Sequence, residues 1–382
     1  MFSVDKIKKV SKNMIKSNDQ SLLKLSRIIE FDALRVMALF MILYTHFFAY
    51  VPLNLYLNVI FNNTALIGLS IFVFLSGFGL YTSVLSKGLT NFNPLDFLKK
   101  RLLRIYPLYL LSIILYFLIF NFLKIYQPFD LQPIVRAIIG HLLCLQVIFY
   151  PKIPQMMTIW FIGMIVPFYL LFLITAALPI RKFIIANLFI FLLLVFIKFI
   201  FEINDIELID LRLIFYYPIF VFGSIVAGFA EFFNRKQIYL KPAILLNLLL
   251  ITIFSLFLQT QDQLTFPHSL HLKLIDVINV IYFFIHSFLF TTLLTLGVFL
   301  ISQWIKQQKS LVVYLSNLSY AAYLLHRVVY GLFFFVINRQ LNLPHLVRIP
   351  LFLLITILLF WISDKVVLLE KLLLKRVFPK IG

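Results

Sequence analysis

The chain has 382 residues, 62% of them hydrophobic and only 13% charged, and a mean hydropathy of +1.01. This composition excludes an ordinary soluble domain: apolar runs long enough to span a bilayer recur from residue 31 to residue 370, so a polytopic membrane protein is expected. The formal charge of +19 would suit a nucleic-acid partner, but the basic residues fall in short clusters between apolar runs and in the two tails, so topology explains them and no nucleic acid is expected.

Residues 1–30 form a basic tail with no apolar core of signal-peptide length, so the first span is expected to be a retained anchor. That span, Phe31 to Val51, carries Arg35 and His46. Eleven residues at about 100° each come within about 20° of three full turns, which puts both side chains on one helix face about 16 Å apart. Ionisable groups inside a spanning helix are costly and mark functional positions by default. The plainer alternatives are a snorkelling Arg35 paired with Asp32 or Glu30, and a hydrogen-bonded structural His46.

The second span, centred near residue 75, is rich in small residues (Gly68, Ser70, Ser76, Gly77, Gly79), which allow close helix approach. The third, near 113, opens with Lys99, Lys100, Arg101 and Arg104, followed by Tyr106-Pro107-Leu108-Tyr109. Arg101 and Arg104, three residues apart, project from one side at the membrane level of Arg35. Three guanidinium groups there suit a multiply phosphorylated ligand, though positive-inside anchoring or anionic lipid would also explain them.

The stretch Ile134 to Phe149 is too short to span and is expected to be re-entrant or interfacial. Its Cys144, the only cysteine, reads as a small buried hydrophobe rather than an acyl carrier. Further spans centre near 168, 193, 222, 250 and 289. Trp160, Tyr216 and Tyr217 are expected at interfacial belts, and His141, Gln146 and His286 as interhelical hydrogen bonds or cavity lining. In the span near 324, Ser316, Ser319, Tyr323 and His326 form one polar stripe, and His326 reaches the depth of His46, about 22 Å from the boundary. The two histidines either meet or are separate core residues. A last span near 358 leads into a basic tail.

The distribution of Lys and Arg puts both termini in the cytoplasm. The expected fold is therefore all-α: a transmembrane bundle of about ten spans plus one short re-entrant or interfacial helix, with basic tails at 1–30 and 371–382 around a membrane domain at 31–370. No HExxH, Walker, GxSxG or CxxC pattern appears, so no metal, nucleotide or serine-hydrolase site is expected.

Taken in order, these segments resemble the acyltransferase 3 family of integral membrane acyltransferases, which commonly O-acylate cell-surface carbohydrates. Phe31-Asp32-Ala33-Leu34-Arg35 through His46 resembles the family's opening signature, and Ser76-Gly77-Phe78 its second-span motif. Arg101 to Tyr109 resembles its RxxR-x-YP segment, Trp160 to Tyr169 its tryptophan-containing segment, and Leu318 to His326 its late Ser-Tyr-x-x-Tyr-Leu-x-His stretch. Two departures stand out: Ile165, Val166 and Pro167 occupy a place where many members carry acidic residues, and the chain ends too soon for the extracytoplasmic hydrolase-like domain that some members append.

The resemblance implies a stand-alone membrane domain in a bacterial plasma or inner membrane. It would move an acyl group, acetyl by preference, from cytoplasmic acyl-CoA to a hydroxyl of a cell-surface glycan or glycolipid, with no permanently bound cofactor. It makes Arg35, Arg101 and Arg104 the donor-binding residues and His46 and His326 the catalytic ones. His46 is preferred as general base over an acylated relay. Ser319 and Tyr323, with His326, would orient the acceptor or polarise the carbonyl, and Ser76 and Gly77 would shape a tunnel. The rival class is a transporter or flippase for an anionic lipid or polysaccharide, with the same charges lining its pathway.

Overall fold

A computed structural model describes residues 27–51, 64–122, 131–229, 246–251, 274–336 and 345–377; of these 86% are helical and none is in a strand. The helices are α1 (Ile29–Phe48), α2 (Thr64–Leu85), α3 (Pro94–Phe122), α4 (Leu131–Leu142), α5 (Trp160–Thr175), α6 (Ile180–Ile203), α7 (Leu211–Gly228), α8 (Leu274–Leu300), α9 (Ser302–Gln307), α10 (Lys309–Val336) and α11 (His345–Val377). Among the described residues nine are long and apolar enough to cross a bilayer, all but α4 and α9. An all-helical answer is what lipid demands, since a helix satisfies its own backbone N–H and C=O groups. The expected span centred near residue 250 lies outside the described residues except for 246–251.

α1 packs against α2 and α10. Its first turn carries Glu30 and Asp32, favourably placed against the positive end of the helix dipole, and both are buried. Ser302 of α9 donates to Glu30, whose carboxylate also lies 3.5 Å from Lys306 Nζ. α10 runs beside α1 in the same direction. Arg35 bonds Ser316 near one end of the pair, whereas at the other His46 stacks on His326 and Phe47 packs against Tyr330 and Phe334.

Small residues set the tightest crossings. A Cβ on Gly77 of α2 would sit 1.9 Å from the Phe220 carbonyl oxygen of α7, and one on Gly223 of α7 would sit 2.0 Å from the Phe74 carbonyl oxygen of α2. The two backbones therefore touch through reciprocal glycines, the packing that drives helix association where burial from water is not available. Ser224 Oγ adds a 3.0 Å hydrogen bond to the Gly77 carbonyl. α6 is peripheral and turns Ile185, Leu188, Phe189, Leu192 and Phe196 outward.

The aromatic belt expectation needs correction. Tyr216 and Tyr217 are fully buried, and Tyr217 donates a 2.6 Å hydrogen bond to Asn187 Oδ1 of α6 inside the bundle. A buried phenol is stabilised by such a partner, which an isolated sequence window does not reveal. Trp160 is half-buried beneath an arginine; the strongly exposed tryptophans are Trp304 and Trp361.

The short stretch forms α4 followed by turns rather than a span. α4 closes in a Schellman motif, with Leu145 N–H bonded to Gly140 O at 2.7 Å, Cys144 N–H to His141 O at 3.0 Å, and Cys144 in the left-handed region at φ 56°. Glycine normally fills that position. Here the buried thiol instead lies 3.4 Å from the Tyr106 hydroxyl, and burial pushes it above its ordinary pKa, the condition of an inert cysteine. His141 pins the turn: its Nδ1 donates to Ala137 O at 2.8 Å, and its Nε2 accepts from Met156 N–H at 3.1 Å.

Two outcomes follow. Gly77→Ala should destabilise the bundle by about 2 kcal/mol, as overpacking does, whereas Gly79→Ala, whose Cβ meets nothing within 4 Å, should be harmless. Thermal unfolding of the two variants in detergent checks the contrast. Burial pushes His141 down to about 4, so its bond from Met156 N–H is fully present above pH 6.5 and is lost as pH falls towards about 4. The stability difference between the natural protein and His141→Phe should shrink across that window.

Candidate active site

Two polar clusters lie at opposite ends of the α1–α10 pair. At the first, Asp32 is 3% exposed and serves as a common acceptor. It receives Arg27 through Nε and through Nη2 at 3.0 Å, Arg35 Nη1 at 3.0 Å and Ser316 Oγ at 2.7 Å. Arg27 Nη2 also reaches Asn317 Oδ1 at 2.9 Å. The pairing of Arg35 with Asp32 is thus real, but it engages Nη1 alone and leaves a third of the side chain exposed.

Arg101 and Arg104 of α3 complete the cluster. Arg101 lies over the Phe97 ring at 5.2 Å, and Arg104 is exposed, within electrostatic range of Arg35, Arg101 and Glu370 of α11. Among the described residues, Arg27 and Arg35 contact the Asp32 carboxylate while Arg101 and Arg104 make no ion pair, which leaves an excess of positive charge. A planar donor fork with no partner of its own matches phosphate oxygens. Arg27 was legible only as one more charge of a basic tail; its bidentate grip on Asp32 depends on the chain turning back at the start of α1.

At the second cluster the rings of His46 and His326 stack, with centroids 5.2 Å apart and planes 15° from parallel. Arg327 Nη2 lies 2.8 Å from His46 Nδ1, and His326 Nδ1 lies 2.5 Å from Tyr323 O. His326 is fully buried, and its Nε2 has no hydrogen-bond partner among the described residues. Tyr323 donates to Thr158 O at 2.6 Å, and the Tyr116 hydroxyl lies 2.9 Å from Thr158 Oγ1, which fixes the α10 stripe against α3 and the turn before α5.

The remaining expected site residues are held by local partners. Ser319 donates to Ser316 O of its own helix at 2.7 Å; Ser76 Oγ sits 3.5 Å from the Tyr169 hydroxyl; Gly77 faces α7 as described. The structure therefore brings together Arg35 with Arg101 and Arg104, and His46 with His326 and Tyr323, and assigns Gly77 to helix packing.

Beyond the histidines lies a further buried polar group. Asp210, the N-cap of α7, is fully buried; it accepts from Arg212 N–H at 2.9 Å, Arg212 Nε at 2.9 Å and Gln155 Nε2 at 2.9 Å. Burial alone would raise the Asp210 pKa, but the hydrogen bonds and charge of Arg212 hold it below the ordinary value. The Arg212 guanidinium lies 3.9 Å over the Trp160 ring. His286 of α8, expected to hydrogen-bond or line a cavity, is buried, and among the described residues neither ring nitrogen has a hydrogen-bond partner.

A family model described as an acyltransferase domain, that of the acyltransferase 3 family, matches residues 28–364. No curated protein and no solved structure matches the chain. The matched region runs from just before α1 into α11 and contains both polar clusters apart from Arg27. An acyltransferase needs a donor site and a group that manages the acceptor proton, and the chain belongs to the acyltransferase 3 family of membrane acyltransferases.

Proposed function

We propose that this protein transfers an acyl group, acetyl by preference, from cytoplasmic acyl-CoA to a hydroxyl of a cell-surface glycan or glycolipid. The observation that carries the reading is the placement of an arginine cluster and a stacked histidine pair at opposite ends of the same α1–α10 seam. Arg35, Arg101 and Arg104 hold the phosphates of coenzyme A. The pantetheine arm runs along α1 over the about 16 Å between Arg35 and His46, so the thioester arrives at the imidazoles. The acceptor enters from the opposite side, past Trp160, with Tyr323 and Ser319 on the α10 stripe.

The division of labour follows from chemistry. Phosphates need strong charge-assisted donors, which guanidinium forks supply, and the attacking hydroxyl needs a proton acceptor near neutral pH, which imidazole supplies. Asp32 keeps Arg27 and Arg35 extended without cancelling their combined charge. The positive-inside distribution puts the arginine end at the cytoplasm, where acyl-CoA is made, and the histidine end towards the outer leaflet. The family match favours this reading over transport of an anionic lipid.

Purified protein in lipid vesicles should release free thiol from acetyl-CoA in the presence of the host cell's surface polysaccharide. His46→Ala should lower kcat at least about a hundredfold with the bundle intact; full activity in that variant would end the assignment. Replacing Arg101 or Arg104 by alanine should raise KM for acetyl-CoA about tenfold or more with a smaller change in kcat, the loss expected for one charge-assisted hydrogen bond. Unchanged KM in both variants would remove the phosphate-binding role.

A further inference from the structure

The two stacked imidazoles are held by partners of opposite kind. Arginine has only donors, so the 2.8 Å bond from Arg327 Nη2 requires His46 Nδ1 to be the acceptor, and the neutral ring then carries its proton on Nε2. A backbone carbonyl has only lone pairs, so the 2.5 Å contact of His326 Nδ1 with Tyr323 O requires an Nδ1–H. That leaves His326 Nε2 as a bare lone pair, and this buried atom has no partner among the described residues. Side by side at 5.2 Å, one ring offers an N–H and the other offers a base.

We infer that Arg327 is a positioning residue that locks His46 as the Nε2–H tautomer, making His46 the donor to the thioester carbonyl and His326 Nε2 the acceptor of the hydroxyl proton. The inference deepens the acyl-transfer reading and rests on it. His46 is poorly placed as the base: its only free lone pair is the one that Arg327 occupies, and a proton added there would point at a guanidinium. No carboxylate pairs with Arg327 among the described residues, and its Nε is buried without a partner. A second positive charge on His46 would therefore have nothing to offset it.

The step balances. The acceptor oxygen bonds to the thioester carbon as its proton moves to His326 Nε2, and the charge on the carbonyl oxygen is held by His46 Nε2–H. Collapse of the tetrahedral intermediate breaks the C–S bond, the electron pair leaves on sulfur, and the imidazolium of His326 returns its proton to form the free thiol. The products are an ester and coenzyme A. Arg327 touches none of the reacting atoms; it acts through His46.

The test uses the full chain in nanodiscs with nitrogen-15-labelled histidine. The seven histidines are assigned by single His→Gln changes. The expected spectrum shows an unprotonated Nδ1 for His46 and an unprotonated Nε2 for His326. In Arg327→Ala the His46 signals should redistribute between tautomers, while His326, set by its own helix, stays unchanged and so reports an intact bundle. In the acetyl-CoA assay kcat should fall about a hundredfold at unchanged KM for acetyl-CoA, and Arg327→Lys, which keeps a cationic donor, should recover most of both properties. A protonated Nδ1 on His46 in the natural protein, or an Arg327→Ala variant with unaltered His46 tautomer or unaltered kcat, overturns the inference. The spectra require no turnover, so a failure of acyl transfer itself would be seen separately.

Discussion

The buried carboxylate of Asp32 is the interaction on which the arrangement depends. It lies in the first turn of α1, and it gathers Arg27 and Arg35 from its own segment and Ser316 from α10. A lone arginine in a spanning helix is expensive, and a lone buried carboxylate equally so; each is tolerated because the other is present. The bond sets the register of α1 against α10, and from that register His46 meets His326 and Arg327 some three turns later. Removing the carboxylate would free two guanidinium groups and loosen the seam that holds the catalytic candidates together.

Around that seam the bundle is built from two kinds of contact. Close backbone crossings through Gly77 and Gly223 hold α2 to α7, and Gly68 brings α2 under Ala38 of α1 in the same manner. Buried hydroxyl and amide bonds, such as Tyr217 to Asn187, Tyr323 to Thr158 and Tyr320 to Ile105, tie the remaining helices at single points. Such bonds have direction, so they fix rotation about each helix axis, which apolar packing alone specifies poorly. The Asp210, Arg212, Gln155 and Trp160 group does the same for the turns beyond the histidines, joining the segment before α5 to the start of α7.

Much of this was legible in the sequence because it follows from period and hydropathy. The eleven-residue separation of Arg35 and His46 placed both on one face, and in the structure both indeed turn to α10. The depth estimate that set His326 level with His46 came from helix rise alone, and the rings stack. The small residues around Gly77 announced a close crossing without naming α7 as the partner. What pattern could not supply was partnership across long sequence separations. Tyr216 and Tyr217 look like belt residues in any local window, and only the neighbouring helices reveal that they are interior. No periodic rule connects Arg327 to a histidine 281 positions earlier. The tautomers of the two histidines are likewise a property of their partners, not of their positions in the chain.

In the proposed reaction one donor molecule spans both polar clusters along the α1–α10 seam. An experimental density map of the full chain with coenzyme A bound tests it most directly. Phosphate oxygens should lie within hydrogen-bonding distance of Arg35, Arg101 or Arg104, and the thiol beside the stacked rings of His46 and His326. Coenzyme A seated elsewhere, or held by the arginines with its arm directed away from α1, would contradict it.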